Sequence, residues 1–244
     1  MFMSIVEKKE LDSIQFYVTT KYACGYIPNQ SAQSIVATPY KQVNKTAYDE
    51  LIKKGFRRSG QYIYKPRCSE CNSCIPIRIN VKNFKISNSQ KRVGKKNLDL
   101  TFKILPLNYS EEHFQLYVKY QNARHLVGAK NSDDVADYND FLIKSNVSTK
   151  ILEFRDSMGV LKIISIVDFL NDGLSAVYTF YDTESKTKSY GTHSILCLIK
   201  LCLRNKLEYL YLGYWISDCR KMAYKINFKE YELMINGAWQ ASSS

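Results

Sequence analysis

The sequence predicts a mixed fold of strands and helices, of the α+β class, with a sheet-and-helix domain in its C-terminal half. Three apolar, alternating runs at residues 150–155, 161–170 and 174–182 are separated by turn residues, which is typical of neighbouring antiparallel strands. Residues 190–205 follow as a helix that is apolar almost all round and therefore buried. No internal repeat is present, so we expect this helix to pack on the sheet.

The N-terminal elements are predicted from apolar spacing and from turn residues. Residues 14–20 alternate as a strand, and residues 24–38 are so rich in Gly, Pro, Asn, Gln and Ser that we expect a loop. Residues 44–56 have apolar side chains at helical spacing, with Thr46 as a candidate N-cap and Gly55 as a fitting end. Further strands are predicted at residues 61–66, 75–81 and 98–105.

The rest of the chain contains one basic stretch and several further elements. Residues 86–97 are polar and basic and present no apolar face. Residues 108–125 read as a helix with Ser110 as its cap and two glutamates in its first turn, where the helix dipole favours negative charge. The remaining elements are a short helix, then a strand, a helix and a strand, at residues 137–144, 208–215, 217–226 and 231–235.

The bulk composition indicates a folded protein. The chain has 244 residues, of which 45% are hydrophobic and five are prolines. Its start lacks the pattern of a signal peptide, and its most apolar later run, residues 195–203, is too short for a bilayer and contains Lys200. We therefore expect a cytoplasmic protein with no membrane association. Its seven cysteines should then be reduced, which leaves metal binding, catalysis or packing as their roles.

The formal net charge of +12 is concentrated in one part of the chain. Residues 41–103 hold sixteen Lys/Arg and four Asp/Glu, whereas residues 104–244 hold sixteen of each. A one-sided positive field recruits a polyanion, so nucleic acid is the expected partner, with a merely solvated surface as the alternative. The charge also suggests a smaller, basic α/β domain at residues 1–103 and a second domain at residues 104–244.

The segment CSECNSCIPIRI, residues 68–79, places Cys68, Cys71 and Cys74 three residues apart. Cys24 is the only other thiol in the N-terminal half, and four thiolates would complete a tetrahedral zinc or iron–sulfur site. A ligand so far upstream is unlike the two matched pairs of a zinc ribbon. The alternative is that these cysteines are small, half-buried residues of a turn, and the sequence leaves both alternatives open.

Three segments carry groups suited to a reaction centre. Arg124 and His125 end the helix at residues 108–125, where a histidine is commonly only a partner of the helix dipole. Gly191 and Thr192 open the buried helix, and their N–H groups could hold a developing oxyanion or simply be capped. The segment LGYWISDCRKMAYK is dense in polar side chains. The sequence has no nucleophile triad, phosphate loop or HExxH motif, which argues against hydrolysis.

Six segments along nearly the whole chain match a known pattern. They are CGYIPNQSAQSIVATP, AYDELIKKGFRRSGQYIYKPRCSECNSCIPIRI, SQKR, YVKYQNARH, YGTHSIL and YLGYWISDCRKMAYK. In this order they resemble the bacterial aspartate/glutamate leucyltransferases, relatives of the eukaryotic arginyl-tRNA–protein transferases. The resemblance implies an acyl-CoA-N-acyltransferase-like domain in the C-terminal half. It also implies transfer of leucine from leucyl-tRNA to the α-amine of proteins that begin with Asp or Glu, which creates a degradation signal.

The implied reaction gives roles to the candidate residues. An acidic acceptor requires cationic groups, and the expected substrate-binding residues are Arg124, His125, Tyr178, Tyr190, Tyr214, Trp215, Arg220 and Lys221. The basic segment interleaves aromatic rings with charges and would bind tRNA. Its expected contacts are Arg57, Arg58, Lys65, Arg67, Arg78, Lys91, Arg92, Lys95 and Lys96. Gly191 and Thr192 are the candidates that would hold the oxyanion.

The implied reaction requires no cofactor, because an aminoacyl ester is already activated. The eukaryotic relatives carry thiols where this chain has Ile27 and Ile75, so their iron–sulfur proposal does not carry over directly. Zinc or an iron–sulfur cluster at the four N-terminal cysteines stays an open alternative.

Three other functions compete with leucine transfer. The donor could be arginyl-tRNA, which is the other choice of the family. The protein could also be a non-catalytic, zinc-containing module that binds tRNA. An acetyl-CoA-dependent acyltransferase is disfavoured, because TKSYGTH has a single glycine where a pyrophosphate loop requires a Gly-rich turn.

Overall fold

The computed structural model describes residues 13–124, 134–185 and 187–242, which form three β-sheets. The strands are β1 (Gln15–Val18), β2 (Tyr22–Ala23), β3 (Ser31–Ala32), β4 (Ser34–Thr38), β5 (Arg57–Ser59), β6 (Tyr62–Pro66), β7 (Ile75–Asn80), β8 (Thr101–Pro106), β9 (Thr149–Arg155), β10 (Leu161–Phe169), β11 (Gly173–Tyr181), β12 (Tyr209–Trp215), β13 (Tyr231–Ile235) and β14 (Ala238–Ala241).

Helices connect these strands. The α-helices are α1 (Lys45–Lys53), α2 (Asn88–Lys96), α3 (Glu111–Arg124), α4 (Val135–Tyr138), α5 (Tyr190–Arg204) and α6 (Arg220–Ala223). Shorter helical turns, two of 3₁₀ and one of π type, lie at Tyr40–Gln42, Tyr224–Asn227 and Asn139–Ile143. Within the described ranges, no helix has the length and apolar character needed to cross a membrane.

Eight strands form the large sheet, in the order β14-β13-β7-β12-β11-β10-β9-β8. Its neighbours pair antiparallel except β11 and β12, which are parallel and are connected through α5. A parallel pair requires such a crossover, because a tight turn can join only antiparallel strands. This antiparallel run followed by one buried helix confirms the predicted fold class and agrees with the acyl-CoA-N-acyltransferase-like domain that the resemblance implies.

Helices cover both faces of the large sheet. On one face, α5 packs over a core that includes Ile163 and Leu198. On the other face, α3 packs over a second core that includes Phe114 and Ile164. Neighbouring residues of a strand point to opposite faces, so Ile163 and Ile164 of β10 belong to different cores. Burial on both faces explains why the central strands read as nearly continuous apolar runs.

A small sheet joins the large one through a core of its own. Its four strands have the order β1-β4-β6-β5, and β2 and β3 form a separate two-stranded sheet beside it. Tyr48 and Leu51 of α1 pack with Ile63 of β6 in a third core. That core also contains Leu170 and Tyr211, which belong to the large-sheet region. The small sheet is therefore packed against the large sheet.

The structure corrects the expectation for residues 24–38, where we predicted a loop. This segment contains β3 and β4, and β4 lies between β1 and β6 in the small sheet. The N-cap of α1 is Asn44 rather than Thr46, because the Asn44 side chain accepts a hydrogen bond from the Ala47 amide at 3.0 Å. Gly55 follows the end of α1 with a φ of +85°, as expected of a terminating glycine.

Residues 86–97 contain α2, a helix that the apolar pattern did not indicate. Ser87 and Gln90 form a capping box, in which each side chain accepts a hydrogen bond from the backbone of the other. Gln90 is buried and donates to the carbonyl of Asn227 at 3.1 Å, and Val93 packs against the main core. This narrow contact turns the cationic face of α2 outward.

The predicted domain boundary at residue 103 lies within β8. The large sheet takes β7 from the N-terminal side of that boundary and pairs it with β12 and β13. The two-domain organisation therefore stays a prediction about charge and function, because the hydrogen-bonded sheet extends across it.

Two of the expected tRNA contacts, Arg58 and Arg78, are buried and paired within the protein. Arg58 is 2% exposed and donates to Asp168 through Nε and Nη2 at 2.9–3.1 Å. Arg78 is 8% exposed, donates to Glu232 at 2.7 Å and lies 3.6 Å from the centroid of the Tyr209 ring. The prediction that these two arginines contact tRNA is wrong, because their guanidinium groups serve the fold.

The Arg58–Asp168 pair supplies a test of this packing. Arg58→Met leaves the Asp168 carboxylate buried without its partner, so we expect the free energy of unfolding to fall by about 3–5 kcal/mol. Urea denaturation measures this loss, and the exposed Arg67→Met is the matched control, expected within about 0.5 kcal/mol of the wild type. A loss at Arg58 no larger than the loss at Arg67 would contradict the structural role.

Candidate active site

The parallel strands β11 and β12 separate after three residue pairs and form a fork. They pair only at Gly173–Tyr209, Leu174–Leu210 and Ser175–Tyr211. Beyond Ser175, β11 stays with β10, and beyond Tyr211, β12 stays with β7 across a register shift. Backbone groups that face the opening lose their partners in the sheet, so the fork requires other donors and acceptors.

Arg57 of the small sheet fills the base of this fork. Its Nη2 donates to the carbonyl of Val177 in β11 at 2.9 Å. On the opposite side its guanidinium touches the backbone of Gly213 in β12, where a Cβ atom would lie 2.9 Å from Nη1. Gly213 has a φ of +73°, so glycine is needed there both for the backbone and for the arginine. Arg57 thus links the two arms of the fork.

Lys225 satisfies the other arm of the fork. It follows α6, is 6% exposed, and its Nζ donates to the carbonyl of Tyr214 at 2.6 Å. Burial, together with the nearby Arg57 charge, lowers the pKa of Lys225 to about 7. The fork therefore contains an amine that can change its charge near neutral pH.

Tyr181, at the end of β11, is the contact point of three elements above the fork. Its ring centroid lies 4.9 Å from that of Tyr120 in α3 and 6.2 Å from that of Tyr190 in α5. Arg124, the last residue of α3, donates to the Tyr181 hydroxyl at 3.1 Å. Gly191 lies against the same ring, since a Cβ atom there would be 3.5 Å from Cε1. The ends of α3 and β11 and the start of α5 thus converge at one tyrosine.

The first turn of α5 begins beside this ring. Gly191 and Thr192 lie in that turn, whose N–H groups have no acceptor within the helix. Ser189 precedes them in the left-handed conformation, with a φ of 53° and no side-chain cap. The macrodipole makes this end of a helix suitable for negative charge. Both residues are half-buried, and Gly191 lies beside Tyr181, so their role as oxyanion donors stays a prediction.

The structure separates the expected substrate-binding residues into two groups. Arg124, Arg220 and Lys221 are exposed, whereas Tyr178 and Trp215 are half-buried. Tyr190 and Tyr214 are 3% and 1% exposed, so the expectation that these two residues bind substrate directly is corrected.

These aromatic side chains are buried or half-buried, and they support the site through hydrogen bonds and packing. Tyr214 donates its hydroxyl to the Gly55 carbonyl at 3.0 Å, and Tyr178 accepts a hydrogen bond from Gln121 at 3.2 Å. Trp215 packs against the main core, and its indole N–H finds no acceptor among the described residues. His125 lies outside the described residues.

The remaining cationic candidates are exposed or half-buried, and four of them share α2. Lys91, Arg92, Lys95 and Lys96 are all exposed or half-buried. The end of α2 is bonded to the loop before α5, because the Asn97 side chain donates to the Lys188 carbonyl at 2.7 Å. Lys188 in turn donates to the Lys96 carbonyl at 2.7 Å. The basic helix is therefore fixed beside the first turn of α5.

The four N-terminal cysteines line one cavity of about 680 Å³ on the small sheet. Four tyrosines and Lys65 also line it, and the cysteines are Cys24, Cys68, Cys71 and Cys74. Burial raises the pKa of the Cys74 thiol to about 12, as expected of a wall residue. Within the described residues, no three Cys, His, Asp or Glu side chains form a group that could hold a metal ion, and a metal at these cysteines stays a prediction.

Sequence reasoning missed three residues of the site. Tyr181 and Tyr120 belong to ordinary apolar patterns, and nothing in those patterns separates them from core tyrosines. Lys225 ends the segment LGYWISDCRKMAYK, where only other polar residues were named. Its spacing of four residues from the exposed Lys221 would place it on the same helix face, so no local signal identifies it as buried.

Comparisons with known proteins match nearly the whole length of the chain. A family model described as the C terminus of arginine-tRNA-protein transferase matches residues 112–235, and the model of the N terminus matches residues 22–92. An aspartate/glutamate leucyltransferase of Methylobacillus flagellatus is 48% identical over 238 residues, which are 98% of this chain and 96% of the relative. One of Polynucleobacter necessarius is 45% identical over 243 residues, with 98% and 96% covered.

A solved structure of FemX is also similar to this chain. It has a TM-score of 0.43 and 8% sequence identity, and the match covers 91% of this chain and 84% of FemX.

The lowered pKa of Lys225 predicts how stability depends on pH. The unfolded lysine titrates near 10.4, so between pH 7 and pH 10 the unfolded state binds more protons than the folded state. Stability therefore rises with pH in this window, by up to about 1.4 kcal/mol per pH unit. Lys225→Met lacks this gain. The free energy of unfolding of the wild type minus that of the variant should therefore increase from pH 7 to pH 9.5.

Urea denaturation at several pH values measures this difference. Lys229→Met is the matched control, because Lys229 is exposed on the neighbouring turn. A difference for Lys225→Met that stays constant across the window would show that Lys225 does not titrate as derived.

Proposed function

This chain belongs to the aspartate/glutamate leucyltransferase family, and we propose that its reaction takes place above the fork between β11 and β12. The protein is an enzyme that transfers leucine from leucyl-tRNA to the α-amine of proteins that begin with Asp or Glu. The arginyl donor and the non-catalytic module are not favoured. The observation that carries the location is the convergence of α3, β11 and α5 on Tyr181, whose hydroxyl accepts a hydrogen bond from Arg124.

The reaction exchanges an ester for an amide and needs no nucleophilic side chain. The neutral α-amine of the acceptor attacks the leucyl carbonyl carbon, and a C–N bond forms. The C–O bond to the terminal ribose of the tRNA then breaks, and the proton lost by the amine ends on the ribose hydroxyl. A free α-amine has a pKa of about 7.7–8.0, so a sizeable minority is already neutral at physiological pH. The protein contributes position and charge stabilisation.

Gly191 and Thr192 are proposed to stabilise the tetrahedral oxyanion. Their amides lie in the first turn of a fifteen-residue helix, where the dipole favours negative charge. Tyr181 packs against Gly191 and keeps this turn next to Arg124. The geometry supports an oxyanion that forms between these two amides and the guanidinium of Arg124.

Arg124, Arg220 and Lys221 are proposed to bind the acidic first residue of the acceptor. Arg124 ends α3, and the other two begin α6, which follows β12. All three are exposed, so a protein N-terminus can reach them from solvent. A carboxylate bound by charged donors is held more strongly than one bound by neutral groups.

The exposed face of α2 is proposed to bind the tRNA backbone. Its cations are attached to the loop before α5, so a bound acceptor stem would end near the oxyanion donors. Arg67 and Lys65 on the small sheet extend the same positive surface. We also place the protein in the cytoplasm, where aminoacyl-tRNA is made and used.

The acceptor proposal is tested with labelled leucyl-tRNA and peptides that begin with Asp, Glu or the neutral isostere Asn. Alanine at Arg124, Arg220 or Lys221 should lower kcat/KM for Asp and Glu peptides by about tenfold or more, the usual size of a lost charged hydrogen bond. The weak reaction of the Asn peptide should change much less. Arg204→Ala, at the other end of α5, is the matched control. Equal losses for Asp and Asn peptides would overturn the assignment.

The tRNA surface is tested by salt dependence. Lys91→Ala/Arg92→Ala/Lys95→Ala should weaken leucyl-tRNA binding and flatten the plot of log affinity against log salt by about one unit for each phosphate that is no longer neutralised. Filter binding at several salt concentrations measures both. The matched control is Lys150→Ala/Arg204→Ala/Lys206→Ala, which removes as many exposed charges elsewhere. An unchanged slope for the α2 variant would exclude α2 as the tRNA surface.

A further inference from the structure

The cavity of about 680 Å³ on the small sheet has no role in the transfer described above. Its size lies within the range of about 300–1,000 Å³ that is typical of small-molecule sites. Half-buried thiols and tyrosine rings line it, together with apolar residues such as Ile27 and Val36 and several Ser, Thr, Asn and Gln side chains. A cavity of this kind suits a ligand in which an apolar group is attached to a planar ring.

The cavity and the fork share a wall. Tyr64 of β6 lines the cavity, and Arg57 of β5, which fills the fork, is its direct cross-strand partner. The Tyr214 hydroxyl approaches the Tyr64 carbonyl at 3.4 Å from the fork side. Tyr26, also in the cavity wall, lies close enough for the Arg57 charge to influence its phenol. A ligand in the cavity would therefore lie within one strand pair of Arg57, at the base of the fork.

The mouth of the cavity carries exposed rings and a cation. Tyr22 and Tyr62 are 46% and 56% exposed and line the cavity. Exposed tyrosines of this kind are stacking platforms for unpaired bases. Lys65, beside them in β6, donates to the Lys54 carbonyl at 2.9 Å and brings positive charge to the rim. An adenine and its phosphate therefore suit the mouth better than the interior.

The charge of the walls distinguishes the amino acids that the cavity could accept. Among the described residues that line it, none is Asp or Glu, and Lys65 carries positive charge. A leucyl side chain would bury apolar surface there at no electrostatic cost. An arginyl guanidinium would be buried without a counter-charge and next to a lysine, which is strongly unfavourable.

We propose that this cavity binds the leucyl-adenosine end of the donor, with adenine on Tyr22 and Tyr62 and the leucyl side chain among the thiols and Ile27. The proposal rests on the proposed function, because it names the place where that reaction holds its donor. The absence of a carboxylate in the described walls then makes the cavity the determinant of leucine over arginine. The cysteines act as apolar wall residues in this site.

Protection of a thiol tests occupancy in the unmodified protein. The probe is 3′-amino-3′-deoxyadenosine that carries leucine through a stable amide, compared with the arginyl and the unacylated compounds. A hydrogen bond to Ser73 lowers the pKa of Cys71, so Cys71 should react readily with iodoacetamide. The leucyl compound should slow alkylation of Cys71 several-fold, and the arginyl compound should not. Cys197, in α5, is the internal control, and equal rates at Cys71 with and without the leucyl compound overturn the proposal.

A charge placed in the wall tests specificity. Ile27→Asp supplies the counter-charge that a guanidinium needs, and Ile27→Asn has the same size without the charge. Both should lower kcat/KM for leucyl-tRNA by about tenfold, and Ile27→Asp alone should raise the ratio of arginyl to leucyl transfer by about tenfold or more. The KM for an Asp-starting peptide should not change in either variant.

The outcomes separate this proposal from the transfer reaction. Wild-type protein that transfers no leucine would overturn the proposed function. Wild-type protein that transfers leucine, with Cys71 unprotected or with equal ratios for the Asp and Asn variants, would overturn only the assignment of the cavity. If the Ile27 variants do not fold, the protection experiment decides the question alone.

Discussion

Two parallel strands can separate inside a protein only if the backbone groups that they release find other partners. In this chain, the partners are side chains that come from opposite directions in the sequence. Arg57 reaches from the small sheet to the Val177 carbonyl, and Lys225 reaches back from the C-terminal turn to the Tyr214 carbonyl. Arg57 donates as a permanent cation and Lys225 as an amine with a pKa of about 7, so the side chains that satisfy these carbonyls also bring positive charge to the fork. The opening and its electrostatic character therefore have the same cause.

The rest of the molecule is arranged around this opening. The small sheet has to pack against the large one, because it supplies Arg57 and, through Tyr64, a wall of the cavity. The C-terminal segment has to fold back after β12, because it supplies Lys225. Above the fork, Tyr181 fixes the end of α3 and the start of α5 at one point. Donor surface, acceptor rim and oxyanion donors thus lie on elements that the fork brings together.

The sequence predicted those features that depend on local spacing, and the structure shows where such reasoning ends. Strands β9 to β12 and helix α5 follow from apolar runs, since burial on both faces makes them continuous. Helix α2 was missed because its stability comes from a capping box and from Gln90, whose partner is far along the chain. Arg58 and Arg78 look like surface cations in any local window. Their acidic partners, Asp168 and Glu232, are more than a hundred residues away, so only the folded chain identifies them as structural.

Gly213 and Arg57 lie far apart in the sequence but depend on each other in the structure. Its positive φ is strained for residues other than glycine, and the space beside it is taken by a guanidinium that Val177 holds in place. A larger residue at 213 would displace Arg57, and a shorter residue at 57 would leave the Val177 carbonyl unbonded inside the fork. Neither position can change alone without opening a defect at the other. We therefore expect Gly213 and Arg57 to be retained together, or replaced together, during the evolution of this protein.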